Sequence, residues 1–503
     1  MSKTEVGTAE TGDFFHDEKG PAALVAGSNV RIQKSAAERK LLLKADCVIL
    51  PMCGLTWWVT YLDRNSIGNA RIMGLQTDLN MSSNQFYNCL TMFFIGYIAF
   101  MLPANLTARK FKPNRAVGAA VLGFGAVLVG MAGAKNYSTV LALRILLGLG
   151  QAFVQMLSLY MSLWYKRDEL ATRNAIYYSC AVVSGAFGGL ISYGIQTGLP
   201  LKTTGRAPWS WLFIVEGSMA MGIGILAWLL LPRFPDDLQK REKRHWLFTR
   251  EEINIAVERF ASYNTVGEKV QTKQLIAVLK DPKSYFYANQ QGASVLGISV
   301  VGSFLPSFIK DFGFSPIRTQ LFTIVPYACA FVSILLAGAL SDRLNRKAPF
   351  CLIFFSLGCL GYILLLVVES TATKIVATCL VTSGCYTCTF LSPVWQQINT
   401  IGYTKRGATW AFLEVFGLCY SIMGTRIYNT PPRYIKGHSV VLGLNAFALL
   451  NVVFVYLWMR YKNRQKDRIE GEYAARGEVH PHVANEISLG EAGEDYISFR
   501  YIL

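Results

Sequence analysis

Charged residues are scarce in this chain, and the motifs of the common enzyme classes are missing. Asp, Glu, Lys and Arg make up 16% of the 503 residues, whereas a soluble protein contains about 25%. Histidine occurs five times, and no His-Glu-x-x-His, Gly-x-Ser-x-Gly or phosphate-loop pattern is present. These absences argue against a metalloprotease, a serine hydrolase and an ATP-driven pump. We expect no enzyme, no metal site and no cofactor.

Long hydrophobic runs are what the chain has instead. Hydrophobic residues make up 52% of it, and a helix needs about 20 of them in succession to cross a bilayer. We predict an all-α polytopic membrane protein with twelve transmembrane helices in two six-helix halves. The predicted spans are 46–63, 86–104, 116–134, 139–163, 175–199, 209–231, 286–309, 320–341, 349–368, 375–398, 408–430 and 438–459.

The basic residues indicate how these spans are oriented. The net charge is +17, and most of the 49 Lys and Arg residues fall in the two tails, the central loop and the loops on the same side. This positive-inside bias predicts cytosolic termini, and contact with anionic lipid rather than nucleic acid. We expect no cleavable signal peptide, because the first apolar run begins near Asp46. The predicted parts are a disordered N-tail (1–45), a first half (46–231), a central loop (232–285), a second half (286–459) and a C-tail (460–503).

The loop after the eighth span carries a specific pattern. Its residues match the Gly-x-x-x-Asp-Arg-x-x-Arg-Arg/Lys signature of major facilitator carriers; they are Gly338, Asp342, Arg343 and Arg346. Gly338 permits close helix approach, and Asp342 is able to pair with basic neighbours or to cap a helix end. We predict a structural or gating role for these residues. The alternative is a plain solvated basic turn.

Ionisable side chains within a span are the first candidates for function, because each costs at least about 2.5–3.5 kcal/mol at the bilayer centre. Trp57, Tyr61 and Arg64 share one helix face in the first span, and Asp63 lies on the adjacent face. Two rings beside a guanidinium suit a planar carboxylate, and Asp63 is the candidate for proton coupling. The alternative is an ion pair and an aromatic belt at the membrane edge.

Further polar residues recur at helical spacing in later spans. Gln151 and Gln155 are expected to contact the solute from the fourth span. We expect Arg144 of the same span to be structural, with contact to the substrate as the alternative. The solute-binding residues expected in the second half are Asn289, Gln290, Gln396 and Asn399. Interhelical hydrogen bonds are the alternative for these second-half residues. Glu216 is expected to be structural, and the sequence names no partner for it or for Glu414.

Several motifs resemble one family closely. Residues 61–71 resemble the first-helix signature of the fungal allantoate permease family, which belongs to the anion:cation symporter group of the major facilitator superfamily. Further resemblances lie at 164–169, 211–217, 234–235, 399–406 and 499–503.

The resemblance implies a monomeric plasma-membrane importer driven by the proton gradient. Family substrates include allantoate, ureidosuccinate, nicotinate, pantothenate and biotin, and most of them carry a carboxylate. By the same resemblance, Arg64 binds the substrate carboxylate, Asp63 takes part in proton coupling, and Tyr61 lies near the substrate.

The fourth span departs from the family pattern. The family has a Glu where this chain has Gln151, which does not titrate. Coupling then rests on Asp63 alone, is altered, or is lost, and Glu414 is a candidate for a compensating carboxylate. The alternative function is therefore an exporter or shuttle of a fungal secondary metabolite. A solute sensor is a third interpretation, which the short tails disfavour.

Overall fold

Helices form nearly all of the structure, a computed structural model that describes residues 35–107, 112–199, 205–241, 245–261, 277–314, 316–401, 403–429, 433–484 and 493–503. Six long helical units make up the first half. They are α1 (Ala36–Ile72), α3 (Ser83–Thr107), α4 (Pro113–Met131), α5 with α6 (Tyr137–Val154 and Met156–Trp164), α7 (Arg167–Gly198) and α8 (Pro208–Leu230), and the short α2 (Leu75–Asp78) follows α1.

Six more long units make up the second half. They are α11 (Pro282–Asp311), α12 with α13 (Pro316–Phe322 and Ile324–Arg343), α14 (Ala348–Val367), α15 (Thr371–Ile398), α16 (Tyr403–Ile427) and α17 (Ile435–Ala475). Between the halves lie α9 (Pro235–Gln239) and α10 (Arg250–Ala261), and the chain ends with α18 (Pro481–Ala484) and a 3-10 turn (Gly493–Asp495).

The predicted all-helical membrane fold is confirmed. Ten helices of the described chain are long and apolar enough to cross a membrane, and α3 and α16 are the other two long helices. α1 begins well before its predicted span because the Ser35 hydroxyl accepts the Glu38 N–H at 3.1 Å and caps the helix. α17 likewise runs on to Ala475. The described residues next to these two spans are thus helical, where the sequence predicted disordered or polar tails.

The central loop contains a capped helix, α10. The Thr249 N–H donates to the Glu252 carboxylate at 2.8 Å, and the Glu252 N–H donates to the Thr249 hydroxyl at 3.3 Å, which is a capping box. Ion pairs then hold α10 against the first half: Glu252 lies 2.7 Å from Lys44 in α1, and Arg259 lies 2.6 Å from Glu169 in α7. The helix is therefore packed on the bundle as well as capped.

The two halves meet at both ends of the bundle. We call the end with Ser35, Asp342 and Glu494 the tail face, and the opposite end the far face. At the far face α1 approaches α11 so closely that a Cβ added to Gly68 would lie 2.8 Å from the Ser303 carbonyl oxygen. Glycine at position 68 therefore permits this contact.

At the tail face, Asp342 joins the halves. Its Oδ2 accepts the Thr172 N–H of α7 at 2.8 Å and also binds the Thr172 hydroxyl, and its Oδ1 lies 2.5 Å from Lys347 Nζ. We call Thr172, Asp342 and Lys347 the tail-face lock. Gly338 is buried within α13.

Arg343 and Arg346 are exposed, and the predicted pairing of Asp342 with a basic neighbour involves the last residue of the loop pattern. The basic partner of Asp342 is Lys347, which is buried at the start of α14, rather than either arginine. Neighbouring positions on a turn point in different directions, so the charge pattern alone did not identify the partner.

A cysteine pair tests the far-face contact. The hydroxyl oxygens of Thr91 in α3 and Thr425 in α16 lie 2.9 Å apart, so Thr91→Cys with Thr425→Cys is expected to form a disulfide that links the halves. With a protease site placed in the central loop, the cleaved halves should migrate together without reductant and separately with it. Each single cysteine variant is the control for the native thiols. Halves that separate without reductant would contradict the closed far face.

Candidate functional site

A buried charge network lies in the first half. Asp63 has no exposed surface. The Gln151 side-chain NH2 donates to Asp63 Oδ2 at 2.8 Å, and Arg144 Nη1 lies 3.7 Å from Asp63 Oδ1. Gln151 also accepts the Arg64 Nε–H at 2.9 Å on its carbonyl oxygen. Gln151 therefore bridges the carboxylate of Asp63 and the guanidinium of Arg64.

Aromatic rings surround the Arg64 guanidinium. Its central carbon lies 4.7 Å from the centre of the Tyr61 ring, 4.8 Å from that of Tyr97 and 5.5 Å from that of Phe93. These distances are those of cation–π contacts. The Trp57 ring centre lies 5.0 Å from that of Tyr61. The predicted shared face of Trp57, Tyr61 and Arg64 is thus a continuous stack.

A central cavity lies between the halves beside this stack. It encloses about 550 Å³ of space between atoms, including the part that is open to its surroundings. Helices α1, α3, α5, α11 and α16 supply its walls. The lining residues are Tyr61, Arg64, Asn65, Ile67, Leu90, Phe93, Phe94, Arg144, Val295, Ile298, Ser299, Gly302, Ser303 and Leu418.

Two guanidiniums in the wall of this cavity retain unused donors. Arg64 Nη2 and both Nε and Nη2 of Arg144 are buried and have no hydrogen-bond partner among the residues that the structure describes. Buried donors without partners are costly. Asp63 forms an ion pair with Arg144 and is linked to Arg64 through Gln151, so the unused donors have capacity left for a further anion.

Two more carboxylates lie within the spans, and the structure gives each a partner. The Ser66 hydroxyl donates to Glu216, which is fully buried. The Gln291 NH2 donates to Glu414 at 2.8 Å. Glu414 is also in electrostatic contact with Arg64 of the other half. Glu216 therefore has a structural partner close to Asp63, whereas Glu414 faces the arginine.

Three of the predicted solute-binding residues make interhelical hydrogen bonds. Gln155 accepts from the Tyr97 hydroxyl at 2.9 Å, Asn289 from the Tyr420 hydroxyl at 3.0 Å, and Gln290 from the Ser392 hydroxyl at 3.0 Å. These residues, like Trp57 and Gln151, do not line the central cavity. Of the predicted solute-binding residues, Tyr61 and Arg64 line it.

The predicted cavity wall on α15 needs correction. Asn399 hydrogen-bonds the backbone of Ile502, and Gln396 donates to the Thr400 hydroxyl at 2.8 Å within the same stretch of chain. Both residues lie where α15 ends at the tail face, beyond the depth of the cavity. The helical spacing of the two residues showed that they share one helix face, but it did not show at what depth in the membrane they lie.

Sequence reasoning missed Phe93 and Tyr97 as contacts of Arg64, and Gln291 as the partner of Glu414. An aromatic residue in an apolar span has the same signature whether it faces lipid or a cation. The signal that was available for Gln291 is its place in the run of three amide side chains at 289–291.

The fold and this site define a membrane carrier, and comparison with known proteins agrees. Residues 54–425 match the Major Facilitator Superfamily. The chain therefore belongs to that family and is a membrane transporter, not an enzyme. Its fold is similar to that of the proton:xylose symporter XylE, with a TM-score of 0.65 at 15% sequence identity over 81% of this chain and 94% of that one.

Curated relatives align over nearly the whole chain. An uncharacterized transporter of Schizosaccharomyces pombe is 30% identical over 473 residues, which is 93% of this chain and 90% of the relative. The high-affinity nicotinic acid transporter of Saccharomyces cerevisiae is 28% identical over 444 residues, which is 86% of this chain and 80% of the relative.

The bridging role of Gln151 predicts a large stability effect. Gln151→Met removes two hydrogen bonds to charged groups, each worth about 1.5–3 kcal/mol, so we expect a loss of about 3 kcal/mol or more. Gln155→Met is the matched control because it removes a bond between neutral groups, worth about 1 kcal/mol. The measurement is thermal unfolding of the purified variants in detergent. Equal shifts in the two variants would contradict the network.

Proposed function

We propose that this carrier imports a small organic carboxylate by proton symport. The observation that carries the proposal is the pair Arg64 and Arg144, which line one cavity with unused donors, while Asp63 forms its ion pair with Arg144. With Asp63 ionised and Glu414 protonated, a solute with a single negative charge would neutralise the arginine pair. Binding of such an anion would also satisfy the buried N–H groups.

The geometry favours a flat carboxylate. A guanidinium offers parallel N–H donors to the two oxygens of a carboxylate. The Tyr61 and Phe93 rings lie beside Arg64 in the cavity wall and offer stacking surface. The nicotinic acid transporter among the relatives supports an aromatic acid as one candidate, and allantoate and pantothenate come from the family resemblance.

Two carboxylates are candidates for the coupled proton. The resemblance points to Asp63. The structure adds Glu414, which interacts with Arg64 from the second half. When a substrate carboxylate binds Arg64, it brings a second negative charge close to Glu414, and two like charges disfavour each other's ionised form. Protonation of Glu414 would then accompany substrate binding, and Glu414 would stand in for the acid that Gln151 replaces.

The orientation and setting complete the proposal. The positive-inside bias puts the tail face in the cytosol, so import runs from the far face to the tail face. We further propose a monomer in the plasma membrane, with the proton gradient as driving force and no bound cofactor.

An exporter of a secondary metabolite is the second candidate. The observation that favours it is Gln151, which links Asp63 to Arg64 through an amide that cannot titrate. The direction of net flux separates the two candidates.

Uptake in a yeast that lacks related permeases tests the import proposal. Labelled allantoate, nicotinate, pantothenate and biotin would be offered at acidic and at neutral external pH. We expect faster uptake of at least one compound at acidic pH, and loss of that uptake with an uncoupler. Arg64→Ala should lower uptake at least about 30-fold at equal surface expression, because a buried charge pair is broken. Arg64→Lys keeps the positive charge but loses the paired N–H donors of the guanidinium. Its uptake should lie between that of the native carrier and that of Arg64→Ala.

The coupling residue is identified in the same cells. The variant that loses the pH stimulation but retains exchange of labelled for unlabelled substrate carries the proton, and we expect this of Glu414→Gln, with Asp63→Asn as the comparison. Uptake of none of the compounds, with the carrier at the cell surface, would contradict import. Efflux of preloaded solute would then support the second candidate.

A further inference from the structure

The terminal segment, residues 493–503, is bound along the tail face of the second half. Its side chains Ile497, Phe499 and Tyr501 are buried there. The Tyr501 N–H donates to Asn463 of α17 at 2.9 Å, and the Asn463 NH2 donates to the Tyr501 carbonyl at 2.8 Å. One amide side chain thus satisfies both backbone groups of a residue, as a neighbouring strand would.

Asn399 of α15 repeats this arrangement one residue further on. The Ile502 N–H donates to Asn399 at 2.8 Å, and the Asn399 NH2 donates to the Ile502 carbonyl at 2.9 Å. The indole N–H of Trp395 donates to the same carbonyl at 2.9 Å. Asn399 and Trp395 are buried, so these bonds give buried polar groups on α15 their partners.

Charges fix the start of the terminal segment. Glu494 forms ion pairs with Lys283 of α11 and, at 2.8 Å, with Lys405 of α16. Burial alone would raise the pKa of Glu494, but the two lysines bring it below the ordinary value, so the carboxylate is ionised at neutral pH. Lys466 of α17 donates to the carbonyls of Glu494, Tyr496 and Phe499 at 2.6, 3.0 and 3.1 Å.

The last residue reaches the tail-face lock. The Lys347 N–H donates to the Leu503 carbonyl at 2.8 Å, while the Lys347 ammonium lies 2.5 Å from Asp342. Asp342 in turn binds Thr172 of the first half. The terminal segment is therefore connected to the contact between the halves through a single lysine.

We propose that the tail face of the second half is a binding site for the terminal segment, and that the bound segment holds the tail-face lock closed. It ties together the ends of α11, α14, α15, α16 and α17, and it positions Lys347 against Asp342. A carrier of this family works by rocking its halves against each other, so release of the segment loosens the contact that the tail face must break to open.

Hydrogen exchange of the purified full-length carrier, read by mass spectrometry at single amides, tests this without a substrate. The native Ile502 amide should exchange slowly. In Asn399→Leu it should exchange about tenfold faster or more, because its acceptor is gone. The Thr172 amide, which lies in the other half, should become faster in the same variant because the lock loosens. Gln396→Leu, a nearby substitution whose lost hydrogen bond goes to Thr400 and not to the segment, should leave both amides unchanged.

If Asn399→Leu does not fold, Glu494→Gln is the second variant in which the Ile502 and Thr172 amides should exchange faster. Unchanged exchange in α4 and α8 verifies that each variant is folded. An Ile502 amide that exchanges at the rate of a free peptide in the native protein would overturn the binding site. A faster Ile502 amide with an unchanged Thr172 amide would overturn the link to the lock.

Discussion

An ionised side chain inside a bilayer must find a partner, and that constraint organises the centre of this carrier. Asp63 has no exposed surface, and both of its close partners, Gln151 and Arg144, come from α5. Because Gln151 also holds Arg64, one neutral amide keeps an anion and a cation in place. The guanidinium N–H groups that have no partner among the described residues belong to side chains of the cavity wall, where an anionic solute would accept their hydrogen bonds.

The contacts between the halves differ in kind from those within them. Within the first half, charges are paired and buried. Between the halves, the far face is closed by backbone approach at Gly68, by a pair of hydroxyls and by a hydrogen bond from Arg426 to Asn88, and the tail face by Asp342 and Thr172. Opening of one face would therefore break the contacts of that face, while the buried pair Asp63–Arg144 stays within the first half. The terminal segment binds helices of the second half, so in the proposed arrangement it reinforces the tail-face end of that half.

Helical periodicity was sufficient where the relevant contacts are local. It placed Trp57, Tyr61 and Arg64 in one stack, since residues three and four apart on a helix are neighbours whatever the tertiary structure. It also predicted the twelve long helices, because a hydrophobic span has to match the bilayer.

Periodicity failed where the partner is distant in sequence. Asn399 has the spacing of a cavity residue, yet it binds a backbone 103 positions away. Glu414 was recognised as unusual, but its partner Gln291 lies 123 positions away on another helix. A polar face has the same pattern whether it meets solute, a neighbouring helix or the end of the chain.

Direct binding to the purified carrier tests the central claim, that the arginine pair selects a single carboxylate. The comparison is between a transported carboxylate and its neutral carboxamide, which has nearly the same shape without the charge. We predict that the carboxylate binds at least about 30-fold more tightly, because the amide leaves a buried guanidinium without its counter-charge. Equal affinity of the two compounds would show that shape rather than charge governs the site, and would contradict the account.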